Sequence, residues 1–200
     1  MSKLIVSDLT CQRGYNELFS NLSFELNSGE ILRVSGANGS GKTSLLKILA
    51  GLNSAESGKL SINNNKVGSY DYQSDIFYLG HLPALSLELH CKENLDYLTQ
   101  LNNSSSNPAL NEVLTNIGLN NFENEYAANL SAGQKRRVVL SALFITQAKV
   151  WLLDEPFTAL DADGINVIET QITKHCDDGG ICVLTTHQKC NLHGLRTLTL

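Results

Sequence analysis

Eight consecutive residues, Gly36-Ala37-Asn38-Gly39-Ser40-Gly41-Lys42-Thr43, combine glycines, a cation and a hydroxyl at the spacing GxxxxGK[ST]. Glycines let a main chain wrap closely around a polyphosphate with its N–H groups pointing inward. A helix opening at this point adds the positive end of its dipole. Lys42 is placed to reach β- and γ-phosphates, Thr43 to offer its hydroxyl to Mg²⁺, and Ser44 to extend the cradle. The bland alternative is a glycine-rich turn with a solvated lysine. It is disfavoured by the strand-like run before the glycines and the helical spacing after them.

Other residues offer complementary chemistry. Val150-Trp151-Leu152-Leu153-Asp154-Glu155 is an apolar run ending in two carboxylates. Asp154 can deliver an oxygen to the Mg²⁺ water shell, and Glu155 can polarise a water opposite a γ-phosphate. By itself this pair is weak, since acidic residues often follow strands; the phosphate loop upstream gives it meaning. Leu130-Ser131-Ala132-Gly133-Gln134 precedes Lys135-Arg136-Arg137. At a helix start, Ser131, Gly133 and Gln134 present a hydroxyl and N–H groups to phosphate oxygens. An ordinary N-cap would account for Ser131 but not for the whole string. Thr185-Thr186-His187 follows a second apolar run, where His187 could hydrogen-bond a γ-phosphate and report its presence.

The elements that must position these residues are partly legible. Leu4-Ile5-Val6 and Leu22-Ser23-Phe24-Glu25-Leu26 have strand composition, and Asn27–Glu30 is a turn. Ile31–Ser35 predicts a strand feeding the glycine loop, and Lys42–Ala50 a helix stopped by Gly51. From about residue 82 to 145 the texture becomes helical. Leu89, Leu95, Leu98 and Leu101 recur at helical intervals, as do Leu110, Val113, Leu114 and Ile117. Between them, 102–108 is a polar run predicted to be an exposed, mobile loop. Val150–Leu153 and Ile181–Thr185 suit buried central strands of a parallel sheet, linked by a helix around 165–175. Leu195–Leu200 alternates like a final strand.

The string at 130–134 resembles the signature of the ATP-binding cassette (ABC) family, usually read LSGGQ, with Ala132 in place of the first glycine. Ala159-Leu160-Asp161 resembles that family's D-loop, and His187 its switch histidine. The resemblance spans essentially the whole chain. It implies an α/β P-loop NTPase core with a mostly parallel sheet, an N-terminal antiparallel β part and an inserted helical subdomain. The expected organisation is one domain over 1–200, with 1–81 and 146–200 as the nucleotide-binding core and 82–145 as the helical signature part. It also implies ATP hydrolysis with Mg²⁺, catalytic roles for Lys42, Glu155 and His187, and a head-to-tail pair of copies sharing two ATP molecules.

Two positions depart from the family pattern. The aromatic residue that usually stacks on adenine is either Tyr15 or replaced by Arg13. The usual glutamine at the hand-over to the helical part is replaced in Phe77-Tyr78-Leu79-Gly80-His81-Leu82-Pro83 by Gly80 or His81. His81 is thereby a further candidate for the metal's water or the γ-phosphate; a plain turn residue is the equal alternative. The Gly80-His81 pair, the Ala132 variant and Thr185-Thr186-His187-Gln188 resemble the ATP-binding subunits of haem exporters of cytochrome c maturation. That likeness implies integral membrane partner subunits and a peripheral place on the cytoplasmic face of the inner membrane.

Composition sets the outer limits. The chain has 200 residues, 42% hydrophobic and 18% charged, enough apolar material for a real core. A net charge of −5 argues against a nucleic-acid coat, and no nucleic-acid partner is expected. No apolar run approaches the roughly 20 residues of a membrane span, and the start meets Asp8 too early for a signal peptide. The five cysteines are scattered without a CxxC pair, which argues against a disulfide framework or zinc site. Cys190 and His193, three apart, are read as ordinary residues. Asn63–Gly68 lacks the Asp that guanine recognition by an NKxD motif needs, so GTP is not the expected nucleotide. The other readings are the ATPase subunit of another ABC exporter, a soluble ABC protein of translation or DNA repair, against which the lack of a second cassette or long coiled insertion speaks, and a clamp that hardly turns over. Glu155 and His187 speak against the clamp.

Overall fold

The computed structural model describes residues 2–81, 85–101 and 110–200. The polar run 102–108, and Leu82 and Pro83, lie outside the described residues. By its contacts the chain divides into two units. One comprises Met1–Leu79, Ala148–Pro156 and Ile172–Leu200; the other Gly80–Gln147 and Phe157–Gln171. Residues 157–171 therefore group with the helical unit, whereas the sequence boundaries kept them with the core.

In the first unit, β1 (Lys3–Arg13) buries Leu4 and Val6, then Leu9 and Cys11. The alternation slips by one residue at Asp8, which has φ 51° and marks a bulge in the pairing. β2 (Asn16–Asn27) returns antiparallel to β1. β3 (Ile31–Ser35) leads through the glycine loop into α1 (Lys42–Leu49). β4 (Ser57–Ile62) pairs antiparallel with the other edge of β1 and turns into β5 (Asn65–Lys66). Asn63 and Asn64 make that turn, both in the left-handed region, a conformation Asn tolerates well. The antiparallel sheet has the order β2-β1-β4-β5.

α2 (Tyr70–Ser74) precedes β6 (Ile76–Leu79), a strand the sequence reading did not assign. β7 (Val150–Asp154) and β8 (Ile181–Thr185) are buried at every position, as a two-face-covered parallel strand must be. β9 (Leu195–Thr199) pairs parallel with β3, giving the order β6-β7-β8-β3-β9. Leu26, Val34, Leu45, Leu46, Ile62, Leu152 and Val183 lie in one core that joins both sheets to α1. The expected fold, a parallel sheet with an N-terminal antiparallel part and a helical insertion, is the one observed.

The second unit is built by α3 (Cys91–Leu101), α4 (Leu110–Asn116) and α5 (Ala132–Leu140). Cys91, Leu95, Val113, Leu114, Leu130 and Val138 form its core. Leu89 is not helical, contrary to the periodicity reading. His90 N–H donates to Glu93 at 2.8 Å, and the Asn94 amide donates to the carbonyls of Ser86, Leu89 and His90, so the chain turns there and the helix opens at Cys91. α6 (Ala162–Asp177) starts in this unit and is longer than the 165–175 expected. Its first turn is set by Asp161, whose carboxylate accepts the Gly164 N–H at 2.9 Å.

Among the described residues, no helix is long and apolar enough to cross a membrane. Nor does any group of three or more His, Cys, Asp or Glu gather there as a metal site. Cys11, Cys91, Cys176 and Cys182 are buried and Cys190 is half-buried. Burial, with help from the Asp177 charge, pushes the Cys176 thiol up to about 12. Burial raises the Cys182 thiol well above its ordinary value too.

Candidate functional site

The phosphate loop runs from the end of β3 to the start of α1. Gly41 closes it with φ 103°, and a Cβ there would come within 3.1 Å of Leu18 and Phe19 on β2. A side chain at 41 would therefore be strained and crowded, which is why glycine stands immediately before Lys42. Lys42 Nζ lies across the loop, donating to the carbonyls of Gly36 (2.8 Å) and Ala37 (3.0 Å). Ser40 N–H donates to the Ala37 carbonyl at 3.1 Å and closes the intervening turn, which includes Asn38 and Gly39. Ser40 Oγ is buried with no hydrogen-bond partner, a donor suited to a phosphate oxygen. Ser44 follows Thr43 in the first turn of α1.

Thr43 and Asp154 meet. The Thr43 hydroxyl donates to Asp154 Oδ2 at 2.8 Å. Asp154 is almost fully buried, and its other oxygen accepts from the Thr185 hydroxyl at 2.7 Å. That contact follows from strand register, since Asp154 stands opposite Thr185 in the β7–β8 pairing. Thr185 Oγ1 also accepts the Glu155 N–H at 2.9 Å. One hydroxyl thus fixes the direction of both carboxylate-bearing residues. Tyr78 on β6 has its hydroxyl pushed up to about 12 by burial and by the Asp154 charge. Thr43 and Asp154 supply hard oxygen donors, the set Mg²⁺ prefers, so these residues fit the expected metal.

Glu155 sits at φ 51°, a conformation a non-glycine residue adopts only when its surroundings impose it. The turn directs its carboxylate to the segment after β8. Its Oε2 accepts the His187 N–H at 3.3 Å, and its Oε1 lies 3.5 Å from His187 Nε2. Thr186 Oγ1 accepts the Gln188 N–H at 3.0 Å and shapes the same turn. The structure therefore brings Lys42, Thr43, Asp154, Glu155 and His187 into one region of the first unit. Tyr15 is not among them. It occupies the exposed β1–β2 turn, next to Arg13, which is exposed as well.

In the second unit, Ser131 is the N-cap of α5. Its hydroxyl accepts the Gln134 N–H at 3.2 Å while Gln134 Oε1 accepts the Ser131 N–H at 2.9 Å, a reciprocal capping box. The Ser131 hydroxyl hydrogen and the Gln134 amide group remain as donors at a helix N-terminus. A Cβ on Gly133 would lie 2.8 Å from the Ala159 carbonyl, so glycine permits the helix start to approach the 159–161 loop. Arg137 donates to Asp161 at 2.5 Å and to the Ile117 carbonyl at 2.9 Å. The Gly164 N–H, then Arg137, hold the Asp161 carboxyl below the ordinary carboxylate range.

Arg136 is buried, and its guanidinium donates to the carbonyls of Gly80 (3.2 Å) and His81 (3.4 Å). The His81 side chain is exposed. Thr185, Arg136 and Arg137 are the site residues that sequence reasoning passed over. The only signal for them was adjacency to His187 and to the 130–134 string.

The family model described as ABC transporter matches residues 19–158. A cytochrome c biogenesis ATP-binding export protein of Shewanella oneidensis is 42% identical over 187 residues, covering 92% of this chain and 86% of its own length. Its counterpart in Haemophilus ducreyi is 40% identical over 203 residues, covering 100% of this chain and 97% of its own length. A Pyrococcus furiosus structure described as an ABC transporter ATP-binding protein has a TM-score of 0.85 at 21% identity, covering 99% of this chain and 97% of its own; it shares the fold. With the phosphate loop, the paired carboxylates and the capped 131–134 helix start all in place, the chain belongs to the ABC transporter family, in the group that holds these cytochrome c biogenesis ATP-binding export proteins.

Proposed function

We propose that the chain is the ATP-hydrolysing subunit of a membrane exporter that delivers haem for c-type cytochrome assembly. The observation that carries the chemistry is the Thr43–Asp154–Thr185 clasp with Glu155 turned out beside it. Lys42 and the loop N–H groups hold the triphosphate. Thr43, and Asp154 through water, would hold Mg²⁺, which would supply charge neutralisation on the phosphate oxygens. Glu155 orients a water and takes up its proton, and His187 donates to the γ-phosphate. Ser131, Gly133 and Gln134 serve the nucleotide of a second copy, so that two chains close on two ATP molecules and part after hydrolysis.

On this reading residues 1–200 work as one nucleotide-binding domain, with 1–81 and 146–200 as its core and 82–145 carrying the signature. Either Tyr15 or Arg13 stacks on adenine, and either Gly80 or His81 stands in the place of the family's glutamine. The likeness to the cytochrome c biogenesis proteins supports the cargo pathway, with integral membrane subunits as partners and a peripheral place on the cytoplasmic face of the inner membrane.

E155Q tests the core of the proposal. It is expected to keep ATP affinity, to lose at least about a hundredfold in kcat as general-base losses do, and to accumulate as an ATP-dependent dimer in light scattering. Hydrolysis at the unmodified rate would sink the assignment of Glu155, and a strictly monomeric species with ATP, alone and with its membrane partners, would sink the shared site. Identification of the integral proteins that co-purify in detergent tests the cargo; partners with no haem-handling role would remove it.

A further inference from the structure

Arg136 is 5% exposed, and an arginine buried to that degree must be met by strong acceptors. Among its acceptors are the main-chain carbonyls of two consecutive residues, Gly80 and His81. These are the first residues of the second unit, reached directly from β6. β6 leaves the parallel sheet at Leu79, which stands opposite Leu153, the residue before Asp154. At its other end, Arg136 is rooted in α5, one turn from Ala132 and on the face shared with Gly133. The helix start there is locked by the Ser131–Gln134 capping box.

We propose that Arg136 is a positioning residue for ATP hydrolysis: it fastens the main chain of Gly80 and His81 to the helix that opens at Ser131. A displacement of that helix start is then delivered to the backbone that continues β6. The tie needs no side chain from residue 80, which explains how glycine can stand there. Both carbonyls accept from one guanidinium nitrogen, Nη1, whose two N–H groups are held in the fixed guanidinium plane, whereas the donors of an ammonium sit on a flexible stem. This inference rests on the ATPase reading above.

The experiment compares R136M and R136K with the unmodified full chain in steady-state Mg-ATP hydrolysis, together with amide hydrogen exchange. An unmodified chain that does not hydrolyse ATP overturns the ATPase reading itself. Given an active chain, R136M is expected to lower kcat about tenfold while KM for ATP stays within about twofold. Exchange should quicken in the peptide Ile76–His81 and stay unchanged across α1. R136K is expected to recover part of kcat. Unchanged kcat in R136M overturns the proposal, as does a loss of kcat accompanied by loss of exchange protection throughout α3, α4 and α5, which is the mark of a merely structural role. If R136M does not fold, R136K decides: reduced kcat at unchanged KM supports the tie, and full kcat overturns it.

Discussion

Thr185 shows how much one hydroxyl can organise. It donates to Asp154 and accepts from the Glu155 N–H, so removing it takes one hydrogen bond from a buried carboxylate and loosens the turn that aims Glu155. T185V is expected to cost about 2 kcal/mol, the order of a hydrogen bond to a charged group. For a chain of this size that is a fall in Tm of about 4–8 °C in calorimetry. Turnover should fall with it, and T185S should restore both. Lys42, Thr43, Asp154 and Glu155 were legible in the sequence because their chemistry is written locally, in a loop or at a strand end. Thr185 was not legible as a clasp, because its role arises from strand register, and register is set by the whole sheet. Arg136 and Arg137 were hidden for a similar reason: nothing local to a basic run says what it packs against, and only the packing of α5 shows both arginines engaged.

At the scale of elements, the buried strands β7 and β8 were plain from their unbroken apolar runs. The long β1 was not, since the bulge at Asp8 breaks its alternation. The C-terminal end of α6 meets β7 through a stack of His175 on Trp151, with ring centroids 3.8 Å apart and planes within 4°. Burial lowers the His175 pKa from its ordinary value, an effect partly offset by hydrogen bonding around Ile181 and Lys149 and by Asp178. An unfolded chain takes up the proton below about pH 6.5, whereas the folded chain resists until lower pH. Stability is therefore full above that value and declines as pH falls through the window beneath it. H175F should flatten this decline. Urea unfolding followed by tryptophan emission checks it directly, because Trp151 is the single tryptophan of the chain.

At the scale of the whole molecule, the fold class was legible because its motifs occur in a fixed order along one chain, while the boundary of the helical unit was not. Residues 157–171 join that unit through contacts of Arg137 with Asp161 and of Gln171 with the Leu143 carbonyl, neither of which has a local sequence mark. The distribution of thiols has a practical outcome. Four cysteines are buried, burial raising the thiol pKa of each, and the half-buried Cys190 lies three residues past His187. At neutral pH a maleimide fluorophore should attach at about one equivalent per chain, at Cys190, since reactivity follows thiolate access; peptide mapping by mass spectrometry checks the position. The unaltered protein thus carries its own optical reporter beside His187, and nucleotide turnover can be watched in real time without first engineering a dye site.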